Sequence, residues 1–204
     1  MRPKSFYALI LIAALAVPAF AQAPPSVPPA RIRGTIEKFD AHTLTIKARG
    51  GDTVTVTLAP DFSVRAVVAQ TLGDIKPGDK VGITSIKAAD DVRKAIEIHI
   101  FPANMPNVRQ LELPWDLGPG SLMTNATVAQ VSGAPEGRTL KVSLNGKERE
   151  ITVPPDTPIV TYAPGDPSLL KPGAAAFVIA RKQPDGSLAA TAVTAEKNGV
   201  KPPM

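Results

Sequence analysis

The sequence predicts a mainly β protein made of two small five- or six-stranded barrels in tandem, joined by an ordered central connection. Three observations predict it: apolar residues alternate with polar ones over short stretches, turn-forming residues separate those stretches, and the same order recurs in the second half of the chain.

The chain opens with a different kind of segment. Arg2 and Lys4 precede an apolar run from Phe6 to Val17, Pro18 ends it, and Ala19-Phe20-Ala21 supplies the small residues that a signal peptidase requires, so residues 1–21 read as a cleavable secretory signal. A retained membrane anchor is the alternative, because residues 6–21 approach the shortest span of a bilayer. Export, with the bacterial periplasm as destination, is the expected localisation, and no integral membrane segment follows the signal. The chain has no cysteine, which excludes disulfides, thiol nucleophiles and cysteine-based metal sites. Residues 22–30, with four prolines, read as an extended stalk or as a disordered mature N-terminus.

Residues 31–101 read as the first barrel unit. Ile32, Gly34 and Ile36 share a phase continued by Leu44 and Ile46 and by Val54, Val56 and Leu58, with a reversal at Arg49-Gly50-Gly51-Asp52. Lys76-Pro77-Gly78-Asp79 precedes a strand from Val81 to Ile86, and Ala95 to Ile100 ends the unit. Residues 125–195 repeat the order. Leu140, Val142 and Leu144 lead into Asn145-Gly146, a strong hairpin signal, with Ile151 and Val153 on the return strand. Lys171-Pro172-Gly173 recurs 95 residues after its counterpart, before strands at Phe177 to Ala180 and Leu188 to Val193. Closure would remove exposed strand edges. A single continuous sandwich is the competing architecture. Residues 196–204 read as a C-terminal tail.

Residues 102–124 form the connection, and its prolines are expected to prevent regular sheet or helix. Leu113, Trp115 and Leu117 give it an apolar content that a plain linker would not need. They are expected to pack between the units or to contact a partner.

The mature chain would carry 21 basic and 18 acidic side chains, interspersed as in Lys147-Glu148-Arg149-Glu150, and six aromatics. Nucleic acid is therefore a disfavoured partner. His42, at a polar turn, and His99, out of phase with Ile98 and Ile100, are weak metal candidates without a recognised spacing. Asp90-Asp91, Asp156, Asp166 and Asp185 lie near turn residues and fit turn formation better than calcium binding. No Gly-x-Ser-x-Gly elbow and no phosphate loop is present. No catalytic or cofactor-binding residue is assigned, and no cofactor is expected.

Arg33-Gly34-Thr35-Ile36-Glu37-Lys38-Phe39-Asp40, Thr43-Leu44-Thr45-Ile46-Lys47 and Ile75-Lys76-Pro77-Gly78-Asp79-Lys80-Val81-Gly82 resemble the repeated-barrel proteins grouped as domain of unknown function 5666. Pro114-Trp115-Asp116-Leu117, Pro154-Pro155-Asp156-Thr157-Pro158 and the Pro202-Pro203-Met204 terminus resemble hallmarks of its two-copy exported bacterial subgroup. The resemblance implies barrels of the oligonucleotide-binding (OB) type and no catalytic residues to transfer. The reading is a non-enzymatic envelope protein with a binding or structural scaffold role, its partner an unknown envelope protein or small ligand. A metal-binding or transporter-accessory protein is the first alternative, an enzyme with an unrecognised site the second.

Overall fold

A computed structural model describes residues 28–88, 92–105, 108–134 and 137–203. The signal segment, most of the stalk, Asp90-Asp91, Pro106-Asn107 and Met204 lie outside the described residues. Twelve strands follow in order: β1 (Ala30–Asp40), β2 (Thr43–Ala48), β3 (Thr53–Gln70), β4 (Lys80–Lys87), β5 (Arg93–Ile100), β6 (Leu111–Pro114), β7 (Leu122–Ala134), β8 (Gly137–Leu144), β9 (Lys147–Val153), β10 (Ile159–Pro164), β11 (Ala175–Lys182) and β12 (Leu188–Ala195). The mainly β expectation holds.

Five of these strands close a barrel. β1 pairs antiparallel with β2 and β11, β2 with β3, and β11 with β12; a parallel pairing of β12 with β3 completes the ring. Ile32, Ile36, Leu44, Ile46, Val56 and Leu58 face its interior, as their alternation predicts, together with Val178, Ala180 and Val193 from the far end of the chain. Additional strands are bonded on its outside. β10 pairs with the far end of β3 and with β5, and the sheet continues through β4 and β7 to β8 and β9. That run curls until β9 meets β5 at Arg93↔Ile151 and Lys94↔Thr152, around a second core that includes Ile83, Ile98, Leu140, Val142 and Ile151.

The two halves are thus interleaved. The barrel takes β1–β3 from residues 31–101 but β11 and β12 from residues 125–195, while β4 and β5 of the first segment pair with β7 and β9 of the second. The sequence segments 31–101 and 125–195 therefore do not each enclose a barrel. The cause lies in β3, whose 18 residues run beyond the barrel to meet β10, so that the chain emerges beside the other core. The internal repeat itself is visible. Short 3-10 turns at Leu72–Asp74 and Pro167–Leu169 stand 95 residues apart. Gly78 and Gly173, at φ of 92° and 89°, occupy the equivalent Pro-Gly turns. The Gly78 N–H donates to Val128 O on β7, and the Gly173 N–H to Ile36 O on β1.

The local turn chemistry is as the sequence predicts at Asn145-Gly146, where φ values of 50° and 77° match a type I′ hairpin between β8 and β9. Asp166 accepts from the Ser168 N–H, and Asp185 from the N–H and hydroxyl of Ser187, so both act as turn formers. In the connection, by contrast, Leu111–Pro114 forms a strand on β7 despite its proline. Pro114 is tolerated because it ends a short edge strand.

Gly34 has a steric role. It lies on β1 between Ala48 of β2 and Ala176 of β11, and a Cβ there would stand 2.0 Å from Lys47 O and 2.8 Å from Ile46 Cγ2. Backbone carbonyls cannot rotate aside, so Gly34→Ala is expected to cost roughly 3 kcal/mol. A urea midpoint unchanged from the wild type would show that the barrel opens there without strain.

Candidate functional site

The barrel wall and the β4–β5–β7 surface meet through their outer faces. On β5 a register shift opposite Thr84 and Ser85 lets Ala95 and Ile98 both reach the second core, while Glu97 and His99 point the other way. Thr84 lies directly across from Glu97, and Met123 directly across from Thr84. Leu113 of β6 is opposite Met123, which continues this row. From the barrel, Phe177 and its cross-strand neighbour Arg33 complete the junction. Met123 and Phe177 are buried there, with Leu113, Trp115 and Tyr162 packed against them.

Glu97 and His99 are each only 1% exposed. Thr84 Oγ1 donates to Glu97 Oε1, and His99 Nε2 stands 4.0 Å from Glu97 Oε2. Among the described residues no protein group hydrogen-bonds Glu97 Oε2 or either nitrogen of His99. Burial pushes the Glu97 carboxyl up to about 7, with the Thr84 hydrogen bond and the charges of Arg33 and Arg49 resisting and Asp116 adding to it. Burial alone takes His99 down to about 3, so its imidazole is neutral across the physiological range. The His99 ring lies 5.2 Å from that of Tyr162, which stacks on Phe101 at 6.1 Å. Burial, with Glu97 nearby, raises the Tyr162 phenol well above its ordinary value, Arg65 opposing. Space for Phe101 comes from Gly82, where a Cβ would approach Phe101 Cζ to 2.9 Å.

The Trp115-Asp116 turn folds onto the barrel beside this junction. Arg33 donates two hydrogen bonds to Asp116, at 2.7 and 2.8 Å, in a bidentate pair. The Arg31 guanidinium sits 3.8 Å from the centroid of the Trp115 ring, and that of Arg33 4.8 Å from the centroid of Phe177. Partial burial works against the Asp116 carboxylate, but the hydrogen bonds and charge of Arg33, with Arg31, outweigh it and hold its pKa below the ordinary value. Leu117 is half-buried and lines a shallow depression with Arg31, Arg33 and Arg49.

The two histidines are placed in different surroundings. His42 is exposed at the β1–β2 turn, its ring 5.9 Å from Phe62, whereas His99 lies in the junction. Among the described residues no three His, Cys, Asp or Glu side chains converge on a point that could hold a metal ion. Glu97 escaped notice in the sequence. In Ile96-Glu97-Ile98-His99-Ile100 the isoleucines share one phase and Glu97 and His99 the other, the alternation of a strand with one solvated face, so the local pattern carried no signal of their burial.

No family model, characterised protein or solved structure matches the chain. Among the described residues no helix is long and apolar enough to cross a membrane.

Proposed function

We propose that this chain is an exported, non-enzymatic envelope protein that acts as a binding or structural scaffold. The observation that carries the reading is the division of its polar groups. Glu97 and His99, a titratable pair with strongly displaced pKa values, are walled into the junction where no substrate reaches them, while the arginine-rich outer face of the barrel offers its chemistry to the surface. Interleaved strands make that face a rigid platform. The resemblance to the domain of unknown function 5666 proteins supports export and an OB-type barrel, and residues 1–21 carry the features of a cleaved signal.

Two measurements test this. Expression of the full chain in a Gram-negative host, followed by osmotic shock and N-terminal sequencing, is expected to yield a soluble product that begins at Gln22. Retention of the intact chain in the membrane fraction would overturn the cleavage reading in favour of a membrane anchor, and retention in the cytoplasm would overturn export. Immobilised mature protein is expected to retain a component of an envelope extract that heat-denatured protein does not. Equal retention by both would remove the scaffold reading.

A further inference from the structure

The outer face of the barrel carries a second pair of arginines that the Trp115-Asp116 turn does not cover. Phe177, Ile179 and Arg181 lie on one face of β11, directed away from the core that takes Val178 and Ala180. Across β12, Thr194 is opposite both Phe177 and Arg65 of β3, so one row of the face runs from Arg33 through Phe177 and Thr194 to Arg65. Arg65 and Arg181 are exposed and line a single groove of about 350 Å³ together with Tyr162, Phe177 and Ile179, the last 48% exposed. Among the described residues neither arginine has a carboxylate partner. Ile179 and Arg181 also line a depression of about 300 Å³ that reaches Pro60, and Arg65 and Tyr162 one of about 270 Å³ that reaches Met105.

We propose that this groove binds an extended peptide segment in which a carboxylate side chain stands next to an aromatic one, a reading that rests on the scaffold role above. The protein already performs this recognition on itself. At the other end of the same row, Arg31 stacks on Trp115 while Arg33 grips Asp116 in a bidentate pair, with Phe177 beneath Arg33. Arg65 and Arg181 repeat the cationic half of that arrangement in a groove that Phe177 and Tyr162 also line, without the acidic half. Charge complementarity therefore calls for a carboxylate, and the aromatic and aliphatic lining calls for a flat apolar side chain beside it. Three neighbouring depressions that share lining residues suit an extended segment better than a compact small molecule.

The probe is an acetylated, amidated peptide with the protein's own sequence Leu-Pro-Trp-Asp-Leu-Gly, titrated calorimetrically into mature wild-type protein and into R65A/R181A. Both arginines are exposed, and matched thermal unfolding curves establish that the double variant is folded. Saturable binding is expected, weakened at least about tenfold in R65A/R181A and by a similar factor when the peptide aspartate is replaced by asparagine. Absence of binding to the wild type, or equal binding to the double variant, would overturn the proposal. So would displacement by inorganic phosphate as effective as that by unlabelled peptide, or preferential binding to anionic phosphatidylglycerol vesicles. If R65A/R181A binds no peptide differently from the wild type yet retains the same envelope component, the groove assignment fails and the scaffold reading survives.

Discussion

Residues 28–105 expressed alone are expected to remain unfolded, although they contain five strands and the whole of the first sequence repeat. Of the fifteen buried residues in the barrel core, eight lie at or after Leu170, among them Val178, Ala180 and Val193. Without β11 and β12, β1 and β3 each lose a neighbour, and the ring cannot close. β4 and β5 would form an isolated hairpin, because β7 and β9, on which they close the second core, are missing. Such a pair is marginal in water. Burying about half of a small core cannot offset the ordering entropy of some seventy residues, at roughly 1–2 kcal/mol each. Residues 108–204 should fail for the reciprocal reason. Mixed in equal amounts and refolded together, the two fragments are expected to recover the β-sheet circular dichroism and the cooperative melting of the intact chain. A first fragment that melts cooperatively by itself, with dispersed amide resonances, would show that residues 31–101 close their own barrel and that the interleaved pairing is wrong.

That test addresses what the residues could not specify locally. Strands and turns are written in short-range patterns: the phase of Ile32, Ile36, Leu44 and Ile46 and the positive backbone angles demanded at Asn145-Gly146 need no knowledge of the rest of the chain. The partner of β4 is another matter. Two copies of the same strand order offer β4 two equivalent places, and the alternation of Val81 and Ile83 suits either. What decides is the length of β3 and its continuation onto β10, a long-range geometry with no local signature. The junction was legible only in part. Trp115 and Leu113 stood out because apolar residues in a proline-rich connection need cover. Arg33 and Glu97 did not, because a charged residue on the outer face of a strand is ordinarily solvated. Their burial follows from packing one outer face on another.

The junction sets the second large expectation, an opposed pH dependence carried by two residues of one strand. The Glu97 carboxyl titrates near 7 in the fold against about 4.5 in the unfolded chain, so between those values the folded state holds more protons. Its contribution is therefore complete below about 4.5 and lost as the pH rises towards 7, by on the order of 3 kcal/mol. His99 runs the other way. Its folded pKa of about 3 lies below the 6.5 of the unfolded chain, so the unfolded state takes up a proton that the folded state refuses. That contribution is complete above about 6.5 and lost as the pH falls towards 3, by on the order of 5 kcal/mol. From about 4.5 to 6.5 the two slopes cancel, and the pair adds almost no pH dependence there. Single substitutions should expose each limb. Glu97→Gln retains an acceptor for the Thr84 hydroxyl while removing the charge, so its stability relative to the wild type should rise as the pH goes from 4.5 to 7.5. His99→Gln should gain relative to the wild type as the pH goes from 6.5 to 3.5. Urea midpoints at pH 3.5, 4.5, 5.5, 6.5 and 7.5 measure both differences, and because each is taken against the wild type, the titration of the other carboxylates drops out. Differences that stay constant across the series would mean that the junction admits water and leaves both groups near their ordinary ionisation. If Glu97→Gln alone is flat, Arg33 is holding Glu97 as a carboxylate throughout. In that case Arg33→Met, which removes the nearby positive charge that favours the carboxylate, should destabilise more at pH 7.5, where Glu97 is ionised, than at pH 4.5.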